Sequence, residues 1–169
     1  MNVQPFLIGD GWIEVRDGND TARAIFERHY SAMKSLARRR RRGTKLFIGP
    51  GFKLLLLSSD ALSLCGWRKE RRRRDGQIGV ECCVFRREGG ALASAQLSGA
   101  MELAWRRFPG ERLFTFVDAR LVRPTMVKGP RARLYAVWGY CFYQAGWRFA
   151  GITKKGLHIL ECRPEWVAA

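Results

Sequence analysis

Phe52-Lys53-Leu54-Leu55-Leu56-Leu57 ends in four consecutive leucines and follows a Gly49-Pro50-Gly51 turn. A short unbroken apolar run of this kind suits a strand buried on both faces. Such a strand belongs inside a sheet that carries helices. Upstream, residues 45–48 read as a strand leading into the same turn, and residues 12–15 as a short first strand. Between them, turn and N-cap residues at 17–20 precede a helical pattern in which Ala22, Ile25, Phe26, His29, Met33 and Leu36 recur. This helix is expected to run through five consecutive arginines, 38–42, and to stop near Gly43.

Downstream, residues 61–67 read as the next strand. A second basic run comes next, Arg68, Lys69 and Arg71 to Arg74, and it closes at the turn signal Asp75-Gly76. Residues 78–85 are another strand, and 86–90 a polar loop with glycines. Ser94 is positioned to cap a helix whose apolar stripe is Leu97, Ala100, Met101, Ala104 and Phe108, ended by Pro109-Gly110. A short strand at 113–117 leads into an irregular basic loop, 120–133. A short helix at 138–145 ends at Gly146, and a hairpin of 148–153 with 157–162 closes the pattern. The order predicts a single α/β (α+β) domain over residues 1–169, core about 12–162, with a sheet flanked by helices and basic loops at 38–43 and 68–76.

Apolar residues make up 47% of the chain, enough for a packed core and against wholesale disorder. Lysine and arginine total 31 against 15 aspartate and glutamate, a net charge of +16. Such a field attracts polyanions, so DNA is the expected partner, against the alternative of a merely solvated charged surface. The phosphate-contacting candidates are Arg40, Arg41, Arg42, Arg71, Arg72, Arg73, Arg74, Arg120, Arg123 and Lys128, expected to form a basic rim around one cleft. The five cysteines, Cys65, Cys82, Cys83, Cys141 and Cys162, are odd in number and form no CxxC pair. That argues for free thiols in a reducing cytoplasm rather than a disulfide framework or zinc site, and with two histidines no metal is expected. Residues 1–9 carry no signal-peptide pattern, and no segment reaches the roughly 18 apolar residues of a membrane span.

The loop Arg86-Arg87-Glu88-Gly89-Gly90-Ala91 lies between a strand and a helix start, where free N–H groups bind phosphate and glycines let a ligand approach the backbone. Arg86-x-x-Gly89-x-Ala91 resembles the pyrophosphate-binding loop of GNAT acyltransferases, and Phe142 to Trp147 resembles that family's late helix and the glycine after it. The resemblance implies a GNAT-like mixed, mostly antiparallel sheet. It also implies acetyl-CoA or a related acyl donor held by Arg86, Gly89, Gly90, Ala91 and Ser94. Phe142 stands where many members of the family have a tyrosine.

A narrower resemblance is to phage DNA-modification proteins of the Mom group, which alter adenine. It rests on His29-Tyr30-Ser31, Phe85-Arg86-Arg87-Glu88-Gly89, Thr115-Phe116-Val117-Asp118, Gly139-Tyr140-Cys141-Phe142, Ala145-Gly146-Trp147 and Gly151-Ile152-Thr153-Lys154-Lys155-Gly156-Leu157. It implies a transferase that adds a small acyl-derived group to adenine in double-stranded DNA, with Asp118, Glu88, His29 and Tyr30 as the candidate catalytic residues. Asp118 accepts a proton from the amine or caps a loop. Glu88 is a general base or pairs with Arg86 or Arg87. His29 is catalytic or a satisfied core histidine, and Tyr30 stacks on a base or packs. Two other functions fit the same residues: an N-acetyltransferase for a small-molecule or protein amine, and a DNA-binding protein without catalysis. A chain of this size is monomeric or dimeric.

Overall fold

Residues 11–168, those described by this computed structural model, form nine strands and five helices. In chain order they are β1 (Trp12–Val15), α1 (Asp20–Glu27), α2 (Met33–Arg42), β2 (Phe52–Ser58), β3 (Ser63–Lys69), β4 (Val80–Arg87), α3 (Ala93–Arg107), β5 (Leu113–Val117), β6 (Thr125–Lys128), β7 (Leu134–Val137), α4 (Tyr140–Gln144), β8 (Arg148–Ile152), β9 (His158–Cys162) and α5 (Pro164–Val167). Residues 1–9, read above for a targeting signal, lie outside the described residues. No helix among the described residues is long and apolar enough to cross a membrane.

Seven strands make one mixed sheet in the order β1-β2-β3-β4-β5-β9-β8, and β6 and β7 form a separate two-stranded sheet. Every pairing in the large sheet is antiparallel except β4 with β5. The four leucines of β2 sort by parity. Leu54 and Leu56 join the core that includes Leu97, Ala100, Met101 and Ala104 of α3; Leu55 and Leu57 join the core under Ala22, Ile25 and Phe26 of α1. A strand with a core on each face has no polar side to show, which is why the run is uniformly apolar.

β4 departs from simple alternation. Gly66 of β3 faces Val84, whereas Trp67 faces Cys82, so Cys83 is an extra residue in a β-bulge. The bulge shifts the alternation along the strand: Cys82 and Phe85 belong to the α3 side, Val84 and Cys83 to the α1 side. Gly66 makes the close packing there possible, since a Cβ would lie 2.8 Å from Ile48 Cδ1 and 2.9 Å from Val84 Cγ1.

Four expectations need correction. The first helix is broken: α1 ends at Glu27, His29 is extended (φ −79°, ψ 141°), and its Nδ1 accepts the Ser31 N–H at 3.3 Å, starting a 3-10 turn at Tyr30–Ala32 before α2. A side chain bonding to nearby backbone competes with helix continuation, so the apolar spacing crosses a bend. Residues 45–48 are not a strand, because the Asp17 carboxylate takes the N–H of Phe47 at 2.9 Å and of Ile48 at 3.3 Å. Residues 38–42 lie in α2 and Gly43 is its left-handed C-cap (φ 61°), while Arg68 and Lys69 lie in β3, so neither segment is wholly loop. The irregular loop 120–133 contains β6 and a 3-10 turn leading to β7.

Because Leu55 and Leu56 are each 2% or less exposed on opposite faces, Leu55→Ala and Leu56→Ala should each destabilise the domain by about 2–5 kcal/mol in urea unfolding. A mild effect at one of them shows that one face of the sheet is not a packed core.

Candidate functional site

The parallel pair β4–β5 holds for two rungs, Val80 with Leu113 and Glu81 with Phe114. One step further, the Thr115 hydroxyl donates to the Cys82 carbonyl at 2.8 Å in place of a backbone rung. Beyond this the strands diverge, and a cleft of about 370 Å³ opens between them. His29, Tyr30 and Ser31 line it from the α1–α2 bend, Asp118 from the end of β5, and Cys141 and Phe142 from α4. Crevices at the carboxyl ends of strands are where open sheets place ligand sites.

Asp118 is 2% exposed. Its carboxylate accepts the Arg120 N–H at 3.1 Å and both arms of the Arg120 guanidinium at 2.9 and 3.0 Å. It therefore holds the loop after β5 as well as facing the cleft. The Arg120 side chain is 68% exposed, so this pair sits at the cleft mouth. Tyr30 donates its hydroxyl to the Phe116 carbonyl at 3.4 Å, and burial raises its pKa, so it remains a proton-bearing donor at neutral pH. Burial, assisted by the charge of Arg86, pushes His29 down to about 4. His29 is neutral at pH 7. With Nδ1 accepting from Ser31, the ring proton is assigned to Nε2. Burial raises the Cys141 thiol to about 11, so it is not a ready nucleophile.

Glu88 is placed differently from the other three catalytic candidates. Arg28 grips it at 2.7 and 2.8 Å, and Arg86 binds it at 2.8 Å. These bonds, that from Arg28 foremost, lower its pKa to about 2, far from the range of a general base at neutral pH. The Arg28 partner was not legible in the sequence, since 60 positions separate the two residues.

The loop from Glu88 to Leu92 joins β4 to α3. Arg87 donates to the carbonyls of Ala91 at 2.6 Å and Gly90 at 3.0 Å. Gly90 has φ +79°, and a Cβ there would lie 2.7 Å from Asp60 Oδ2; a Cβ on Gly89 would lie 2.8 Å from Leu62 Cδ1. These glycines let the loop pack on the β2–β3 turn. The N-cap of α3 is Leu92, with no side-chain cap bond, so Ser94 is not the cap; it lies in the first turn and its carbonyl accepts the Ser98 hydroxyl. The first N–H groups of α3 thus lack a side-chain acceptor, and Arg87 bonds the Ala91 carbonyl just before them, an arrangement that suits an anion; Arg86 is held by Glu88 toward the α1 side.

The basic rim divides in two. β4 runs away from the β3–β4 turn, so Arg71, Arg72, Arg73 and Arg74 lie at the closed end of the β4–β5 pair, opposite the cleft mouth. Arg38, Arg39 and Arg42 line a groove with Pro50 and Lys53 near that same end, and Arg71 lies over the Phe52 ring at 5.7 Å. Arg73 is a structural residue: it pairs with Glu81 and Asp75, both at 2.6 Å, and covers Phe114 at 5.0 Å, with its side chain 8% exposed. Arg40, Arg41, Arg42, Arg71, Arg72 and Arg74 are exposed. At the mouth stand Arg120 and Arg123, which follow Asp118 in sequence; Lys128 is on β6. Comparison with protein-family models, curated proteins and solved structures finds no match for this chain.

His29 makes folding pH-dependent. Its folded pKa, about 4, is below the ordinary 6.5, so between these values the unfolded chain binds a proton that the folded chain refuses. Stability is full above pH 6.5 and falls as the pH drops toward 4. Urea unfolding at pH 7 and pH 5 should show this loss in the wild type and a flatter dependence in His29→Gln. An equal slope in both refutes a buried neutral His29.

Proposed function

We propose that this chain is a DNA base-modification transferase of GNAT-like fold, acting on the exocyclic amine of adenine in the β4–β5 cleft. The observation that carries the reading is convergence: His29-Tyr30-Ser31 and Thr115-Phe116-Val117-Asp118, nearly ninety positions apart, line one cleft. The mixed sheet, the loop before α3 and the net charge of +16 support it further. The donor is an acyl thioester of the acetyl-CoA type, which supplies an activated acyl carbon. When bound, its diphosphate would be held at the uncapped α3 N-terminus with Arg87, and Arg86 would join it by releasing Glu88.

Transfer to adenine N6 would form a bond to the acyl carbon and break the carbon–sulfur bond, so this chain's residues would take one proton from the amine and give one to the departing sulfur. Asp118 accepts the amine proton. Its carboxylate is occupied by Arg120, and a DNA phosphate that draws the exposed Arg120 away lets the amine take its place on the carboxylate. The Tyr30 hydroxyl, protonated at neutral pH and bonded to the Phe116 carbonyl two residues before Asp118, serves the departing sulfur. His29 stays neutral and orients rather than carries charge. Phe85 and Phe142, edge to face at 6.1 Å, exclude water on the α4 side.

Nucleoside mass spectrometry of DNA from cells expressing the wild type should show a new heavier adenosine, absent with Asp118→Asn. Circular dichroism should show the variant folded. An unchanged profile with the folded wild type refutes base modification and leaves another amine as acceptor, or binding alone. Separately, Arg40→Gln/Arg41→Gln/Arg42→Gln should weaken DNA binding for any sequence and reduce the salt slope by roughly 0.9 per lost phosphate contact. An unaltered slope excludes those arginines from the interface.

A further inference from the structure

A second cavity, about 420 Å³, lies beside the cleft and is lined by Tyr135, Trp138, Tyr140, Tyr143, Phe149 and His158 among others. The two share a wall. In the segment 138–142, Trp138 and Tyr140 face this groove while Gly139 and Cys141 face the cleft, and in β9 His158 faces the groove while its neighbour Leu157 faces the cleft. His158 is held edge to face by Trp138 at 5.8 Å and Phe149 at 5.7 Å. Tyr135 is 50% exposed and Phe149 51%, unusual for large rings with no core to fill.

Charge says what such rings meet. Every lining residue comes from the stretch between Asp118 and Glu161, which contains no aspartate or glutamate. That stretch carries Arg120, Arg123, Lys128, Arg131, Arg133, Arg148, Lys154 and Lys155. Aromatic faces carried on a stretch rich in cations and without a carboxylate are the chemistry that stacks bases while cations follow the phosphates. A second copy of this chain, itself strongly basic, is a poorer complement.

We propose that this groove is a nucleobase-stacking subsite, so that DNA is presented single-stranded or locally opened, one base in the β4–β5 cleft and a neighbour on the groove's rings. The identity of the cleft's occupant rests on the function proposed above; the stacking itself does not require catalysis.

The test is fluorescence anisotropy with a labelled DNA of about twelve nucleotides, single-stranded and as its duplex, at physiological salt. The wild type should prefer the single strand. Tyr135→Ala/Phe149→Ala changes no charge and touches half-exposed rings. It should lose roughly 5- to 150-fold in single-strand affinity per stacked base, with duplex affinity unchanged. An unchanged single-strand affinity overturns the proposal. So does a variant whose sedimenting mass falls while its DNA affinity holds, since the groove is then a contact between copies. Binding is read without donor or turnover. Failure of base modification therefore leaves this result standing, and failure of stacking leaves the modification assay standing.

Discussion

The two-rung parallel pairing of β4 and β5 is the constraint on which the site depends. Backbone groups released beyond Glu81 and Phe114 need other partners or solvent. The Thr115 hydroxyl satisfies one of them, and the Cys83 thiol lies 3.4 Å from the Gly66 carbonyl at the bulge. The closed end is clamped from outside: Glu81 receives Arg68 and Arg73, and Arg73 and Arg112 both lie over Phe114. With that end fixed, the other end of the pair opens as a wedge between the α1–α2 bend and α4.

Many of the acidic residues are spent on architecture. Asp17 ties down residues 47 and 48 and pairs with Lys53, Glu111 pairs with Lys69, Glu161 with Arg112, and Glu88 with Arg28 and Arg86. The outward balance is positive, with exposed arginines outnumbering exposed carboxylates such as Asp20, Asp60 and Glu102, so this charge folds without like-charge repulsion inside. The cleft carries little unpaired charge: a neutral histidine, a protonated tyrosine and thiol, phenylalanines, and two carboxylates, Asp118 at the mouth with Arg120 and Glu81 toward the closed end with Arg68 and Arg73. A planar, uncharged base suits such walls, while its phosphates suit the exposed arginines.

Local chemistry marks the large elements. The leucine run, the α3 stripe and the strand at 113–117 are legible because each depends on burial with a clear period or on a short apolar run. The 45–48 segment misleads because its N–H groups go to Asp17, a partner some 30 positions away that no local pattern shows. The hairpin β6–β7 leaves no mark for a different reason. Its residues are largely exposed, so no burial pattern is written into them, and Pro124, Gly129 and Pro130 read as breakers.

By itself the sequence determined the mixed α/β composition, the apolar and polar faces and the positive charge, because these depend on residue type and spacing. Only the tertiary structure decided that Asp118 meets the His29-Tyr30-Ser31 bend, that Glu88 is locked by Arg28, that the two arginine runs lie at the closed end of the sheet, and that scattered aromatics form one groove. Those are contacts between distant positions. They are set by strand order, a one-residue bulge and the splay of two strands, none of which leaves a periodic trace along the chain.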